Sequence, residues 1–211
     1  MGNRAERPRQ EEAPDGFWQG RRMKTGTAFH NFLVLCGKIK RDKEVKRKRE
    51  EMTMSIQAVK EYLAQWGREN DVLEFPVSSA TVELAAQALH TSPAQIAKTL
   101  SFVQEDGCLL VVAAGDARID NAKFKAAFGM KAKMLPPDRA LELTGHAVGG
   151  VCPFALPESV PVYLDRSLLS QEVVYPACGS SNSAIRLTTE ELALYSRSRG
   201  WVDVCKPAPA V

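Results

Sequence analysis

A lone cation and a pair of glycines mark where chemistry could sit in this chain. Lys98 is the one charge in Ile96-Ala97-Lys98-Thr99-Leu100-Ser101-Phe102, a run that joins a capped helix to an apolar strand. A charge at such a boundary must reach water or a ligand. It either snorkels from the strand end or grips a phosphate or an ester carbonyl. The second candidate is Gly145-His146-Ala147-Val148-Gly149-Gly150-Val151-Cys152-Pro153-Phe154. The paired glycines, Gly149 and Gly150, let backbone N–H groups approach a ligand closely and supply an oxyanion-type hole. Within that loop, His146 reads as a surface loop residue or a part of the site, and Cys152 as a small buried hydrophobe or a pocket wall.

The third candidate, Cys178-Gly179-Ser180-Ser181-Asn182-Ser183, is a polar turn whose hydroxyls suit a small polar ligand, although such turns often do no more than reverse the chain. Asp165, closing Pro161-Val162-Tyr163-Leu164-Asp165, either contacts an amino group or caps the turn that follows. No acid pair or His-x-x-x-Glu pattern accompanies these residues to mark a metal or a catalytic triad. The five cysteines are an odd number, widely spaced and without a C-x-x-C pair, which suits a reducing, cytoplasmic setting.

Several elements must position these groups. Ile56, Val59, Leu63 and Trp66 recur at helical steps and predict an amphipathic helix from Ser55 to near Asn70, followed by a strand over 72–77. A second helix is predicted over 81–89, and a third begins at the Ser92-Pro93-Ala94-Gln95 capping box and ends before Lys98. The runs 99–103 and 108–113 predict an antiparallel hairpin of central strands. Asp120 caps a helix that Gly129 stops, and Gly145 stops another over 137–144. Strands are predicted over 161–165, 172–176, 185–187 and 201–205, with a helix capped by Thr188 and Glu191 before the last. Helices interleaved irregularly with hairpins imply an α+β fold with a mixed sheet.

With 211 residues, 45% of them hydrophobic, the chain can bury one core of about 150 residues plus an appendage. The net charge of +3 conceals an asymmetry: residues 1–53 carry 14 Lys/Arg against 8 Asp/Glu, and the remainder 14 against 17. The expected organisation is a basic, poorly ordered extension over 1–53, a domain over 54–205 with Met54 as its natural start, and a tail over 206–211. An RNA-holding arm is the alternative reading of the extension. A mildly acidic domain must gather its cations locally to bind nucleic acid, so charge alone announces no RNA binder. The apolar stretch 32–36 is too short for an export signal or a membrane span.

Taken in order, Ser79-Ala80-Thr81-Val82-Glu83-Leu84-Ala85, Ile96-Ala97-Lys98-Thr99-Leu100, Gly145-His146 with Gly149 to Phe154, and Gly179-Ser180-Ser181 resemble the YbaK-like, prolyl-tRNA-editing deacylase family. The likeness runs from about Ser55 to Asp203. It implies a mixed, partly barrel-like sheet flanked by helices, with a pocket for the aminoacylated 3′ end of mischarged tRNA. It also implies hydrolysis of the ester without metal or organic cofactor. Lys98 matches the family's lysine, and Gly149 and Gly150 match the loop whose backbone meets the aminoacyl group; these three are the expected catalytic positions. Thr81, His146, Val151, Cys152, Asp165, Ser180 and Ser181 are expected around the substrate, with Cys152 as wall and not nucleophile. The loop Val151-Cys152-Pro153-Phe154 does not decide which amino acid is removed. With no synthetase catalytic region beside it, the domain is expected to edit in trans, with a synthetase as a candidate partner. A binding module that holds aminoacyl-tRNA without cleaving it, or a domain directed to RNA by the extension, are the competing readings.

Overall fold

The computed structural model describes residues 55–207; the expected extension over 1–53 and its role as an arm lie outside them. The first described helix, α1, covers residues 55–63 and buries Val59 and Leu63 completely. A 3-10 turn, Ala64–Trp66, carries it to Gly67, whose left-handed conformation (φ 66°) ends it short of the expected Asn70. The rest follows as β1 (Leu73–Glu74), α2 (Val82–Ala88), a 3-10 turn (Pro93–Gln95), β2 (Ile96–Gln104), β3 (Gly107–Ala114), β4 (Ala117–Ile119), α3 (Asn121–Phe128) and α4 (Pro137–Thr144). Then come β5 (Val162–Asp165), a 3-10 turn (Arg166–Ser170), β6 (Val173–Pro176), β7 (Ser183–Ala184), β8 (Leu187–Thr188), α5 (Thr189–Tyr195), β9 (Trp201–Val202) and β10 (Cys205–Pro207).

Six strands form a mixed sheet in the order β8-β6-β2-β3-β5-β9, curled into a half-barrel, so the α+β expectation holds. Its centre is the β2–β3 hairpin, antiparallel in register from Ala97↔Ala114 to Gln104↔Gly107, while β3–β5, β5–β9 and β2–β6 run parallel. Residues 108–114 of β3 are all buried on both faces, which is why they read as an unbroken apolar run and not an alternation. One side of the sheet is filled by stacked rings, Phe102–Phe124–Phe128–Tyr163, with successive centroids 4.6, 4.7 and 5.0 Å apart.

Several expected elements change: the strand expected over 72–77 is reduced to Leu73–Glu74, and the one expected over 185–187 is replaced by β7 and β8 on either side of Ile185 and Arg186. The Ser92–Gln95 turn never lengthens into a helix, because Ile96 and Ala97 are drawn into parallel pairing with Tyr175 and Pro176. Lys98 is therefore the third residue of a strand and not a helix–strand junction. The expected strand over 201–205 is two strands: β9 joins the main sheet and β10 pairs with β4, the chain turning at Asp203–Val204 between them. Strand β10 also reaches Pro207, two residues into the expected tail. The helix caps at Asp120 and Gly129 for α3, Gly145 for α4 and the Thr188–Glu191 box for α5 are as expected, while Thr81, expected as the first residue of the second helix, is the N-cap of α2.

Candidate active site

A gap in the sheet makes the site. One edge of β2 is paired with β6 at residues 96 and 97 and is bridged to Met134 at Phe102, with Leu135 N–H donating to Ser101 O at 2.9 Å. Between these stretches, around Lys98 to Leu100, that edge carries no strand among the described residues, and a cavity of about 430 Å³ opens there. Its floor is β2 from Ile96 to Ser101; its walls are 79–82 with α2, Met134 to Pro137, and the loop residues Val148, Gly149 and Val151. The lining is largely aliphatic and, among the described residues, holds no carboxylate or imidazole.

Lys98 lies at this cavity, half-buried, but its ammonium is partly spent. Nζ donates to Gly115 O at 2.8 Å and to Ala117 O, fastening the β3–β4 turn. An ammonium has three N–H donors, so one remains for a ligand. Burial lowers its pKa from the usual lysine value, against the upward pull of the nearby Cys205 and Asp116. Gly115 has to be glycine here: a Cβ on it would lie 2.3 Å from Pro93 O and 2.5 Å from Val82 Cγ1. Thr81, at the start of α2, lines the same cavity as Lys98. Thr81 Oγ1 accepts from Leu84 N at 3.2 Å as the helix cap, and its O–H is still free to donate.

Of the ten expected site residues, Lys98, Thr81, Gly149 and Val151 line the cavity. Gly150 is buried behind them: its N–H donates to Ala147 O at 2.9 Å, and a Cβ would lie 2.7 Å from both Gly179 O and Ser180 Cα. The Gly150 N–H is thus engaged in closing a turn and does not line the cavity. Ser181 stands behind Gly149, its Cβ 3.4 Å from where a Cβ on that glycine would be. Ser180 is 1% exposed and its hydroxyl lies 2.8 Å from Asn182 Oδ1 and from Ser183 Oγ, so it stabilises the turn and does not face the cavity.

His146 and Cys152 are also buried away from the cavity, at 2% and 0% exposure. The imidazole bonds Ser55 Oγ through Nδ1 (2.6 Å) and Phe154 O through Nε2 (2.8 Å), and Cys152 Sγ lies 3.5 Å from Nε2. A carbonyl accepts only, so Nε2 carries a proton. Burial works against a charged ring, yet the Cys152 sulfur and the Phe154 carbonyl outweigh it and raise the pKa from 6.5 to about 9. His146 is thus neither the surface residue nor the substrate ligand that the sequence allowed.

Asp165 is 1% exposed and fully engaged: Oδ1 accepts from Ser167 N at 2.9 Å and Oδ2 from Val204 N at 2.8 Å. It caps the turn after β5 and pins the β9–β10 corner. Replacing it with alanine is expected to cost about 3 kcal/mol in urea denaturation, because one buried and one half-buried N–H group lose a charged acceptor. A ligand of the substrate would behave differently, losing activity at unchanged stability.

One cavity residue escaped notice in the sequence. Thr99 Oγ1 is buried without a hydrogen-bond partner among the described residues, and Thr99 lines the cavity beside Lys98. A buried hydroxyl left unpaired is costly. A threonine in a β-rich run carries no signal of this, since it suits any strand.

The chain matches the aminoacyl-tRNA editing domain family over residues 77–194, a span holding Lys98, Thr99, the glycine loop and the 178–183 turn. It is 56% identical over 154 residues to the uncharacterized protein YwhH of Bacillus subtilis (strain 168), covering 72% of this chain and 98% of YwhH. A 91-residue stretch, 43% of the chain, is 33% identical to 16% of the proline–tRNA ligase of Lysinibacillus sphaericus (strain C3-41). Among solved structures, a candidate trans-editing enzyme for prolyl tRNA synthetase superposes with a TM-score of 0.66 at 33% identity, covering 72% of this chain and 97% of that one. The hypothetical protein APE2540 gives 0.60 at 30% identity, over 69% and 99% of the two chains.

Proposed function

Since this chain belongs to the aminoacyl-tRNA editing domain family, we propose that it is a trans-acting hydrolase that removes a small noncognate amino acid from mischarged tRNA. The observation that carries the reading is the cavity itself: about 430 Å³, mostly aliphatic, with the Lys98 ammonium and the Gly149 backbone at its lining. The tRNA served is tRNA(Pro) or a related one, by the likeness to proteins of prolyl-tRNA chemistry, and the setting is cytoplasmic translation quality control. A synthetase that delivers the tRNA would compensate for the mild acidity of the domain.

The chemistry asks little of the protein. An aminoacyl ester is already activated, so holding it, polarising its carbonyl and admitting a water are sufficient. The third N–H of Lys98 holds the terminal phosphate or the ester oxygen. Gly149 and Val151 offer backbone N–H groups to the carbonyl oxygen as negative charge develops there, replacing Gly150 in that role. Water attacks the carbonyl carbon, the bond to the ribose oxygen breaks, and the ribose hydroxyl leaves with a proton; the neighbouring ribose hydroxyl can relay it.

The aliphatic walls favour an uncharged, small side chain, although one methylene is worth just 1–3 kcal/mol in such a pocket. The test is a panel of tRNAs charged with alanine, serine, threonine, cysteine or proline. Rapid release of one or two small residues with proline spared is expected. The absence of a carboxylate or imidazole in the lining keeps a second reading, a module that holds aminoacyl-tRNA without hydrolysing it. Saturable binding with every ester intact would establish that one instead.

A further inference from the structure

Residues 146 to 154 form a loop whose middle lines the cavity and whose two ends meet at one side chain. His146 starts the loop, and its Nε2 bonds Phe154 O at the other end at 2.8 Å. The opposite ring nitrogen reaches out of the loop to Ser55 Oγ on α1 at 2.6 Å, so the imidazole ties both loop ends to a helix. The backbones are stacked in the same place. A Cβ on Gly179 would lie 2.7 Å from Ser55 O, and one on Gly150 would lie 2.7 Å from Gly179 O. Helix α1, the 178–183 turn and the glycine loop therefore touch in layers with no side chain between them. The N–H of His146 also receives help, donating to Thr144 Oγ1 at 3.2 Å, while that hydroxyl donates to Ala140 O at 2.7 Å on α4.

We propose that His146, oriented by Ser55, is a positioning residue that sets where the Gly149 and Val151 backbone stands at the cavity, without itself touching the substrate. The clasp is needed because neither glycine has a side chain to anchor it, and loops with such freedom sample many conformations unless tied. This assignment rests on the deacylase reading for its kinetic consequence but not for its geometric one. A fixed donor, displaced by a fraction of an ångström, fails in the transition state more than in substrate binding.

The experiment compares Ser55→Ala, Ser55→Thr and His146→Gln with the unaltered protein. Ester hydrolysis of the tRNA that the panel identifies is measured alongside thermal melting and the amide 1H–15N spectrum of residues 147 to 152. Ser55→Ala is expected to lower kcat on the order of tenfold with KM within about twofold, to shift the Gly149 and Val151 amide signals, and to lower melting by no more than the several degrees that one lost buried hydrogen bond costs; Ser55→Thr restores the hydroxyl, the rate and the melting. His146→Gln should go further in the same direction. Unchanged kcat and unmoved loop signals in folded Ser55→Ala and His146→Gln proteins would overturn the assignment, as would a loss confined to KM. If the unaltered protein cleaves no ester, the deacylase reading fails, and the loop signals alone then decide the clasp.

Discussion

Replacing Lys98 with alanine is expected to reduce ester hydrolysis by about 100-fold or more, the size of effect seen when one fixed charge-stabilising donor is removed from a site that excludes water. Among the described residues Lys98 is the single cation in the cavity lining, so no neighbour among them can take over its role. The same change strips Gly115 O and Ala117 O of their shared donor and should destabilise the protein by about 1–3 kcal/mol. Rates must therefore be compared at a temperature where melting shows both proteins folded. Lys98→Arg separates the two contributions: it keeps a charge but cannot reproduce a compact ammonium held by two carbonyls, so most of the loss should persist. A folded Lys98→Ala protein with ordinary kcat/KM would remove Lys98 from the chemistry and leave it a structural tie.

Gly150→Ala is expected to be the most damaging single methyl in the loop. The added carbon would sit 2.7 Å from Gly179 O and Ser180 Cα, both backbone atoms, and Gly179 cannot retreat because it lies against Ser55. Overpacking against backbone typically costs about 1–3 kcal/mol and shifts the chain. Here the shift would carry Gly149 and Val151 with it, so activity should fall to near the uncatalysed level even where the protein remains folded. Gly149→Ala is the control. It meets Ser181 Cβ at 3.4 Å and Ala80 Cβ at 3.7 Å, and its penalty is the left-handed backbone (φ 93°), about 1–2 kcal/mol. Comparable melting and kcat for the two variants would contradict the layered contact at Gly150.

Much of this was readable from the sequence, and particular residues show where reading stops. Caps and stops such as Asp120, Gly129, Gly145 and Thr188 act within four residues of themselves, and each stands where expected. The β2–β3 hairpin was legible because its turn is short and its strands are apolar throughout. Long-range effects were not legible. Ile96 and Ala97 leave a good capping box for a strand because Tyr175 and Pro176, nearly 80 residues on, pair with them. The motif segments do come together, yet spacing could not tell which side of each one faces the cavity. Gly149 and Gly150 are adjacent and chemically identical; one lines the cavity and the other is wedged against Gly179. His146, Cys152, Asp165 and Ser180 sit in or beside the right segments but point inward, where their polar atoms are taken by Ser55, Phe154, Val204 and Ser183. A polar residue near a motif carries the same sequence signal whether it binds a substrate or holds the segment that does.

The central claim is that this cavity hydrolyses the ester of a mischarged tRNA. It is tested most directly by following the ester bond of tRNA(Pro) carrying a small noncognate amino acid, with the protein in excess, against the same tRNA alone. The account expects the ester to disappear at least about 100-fold faster than its spontaneous decay, with free amino acid and intact tRNA as products. Decay at the spontaneous rate from every small aminoacyl-tRNA offered, while the tRNA is demonstrably bound, would contradict it and leave a binding module in its place.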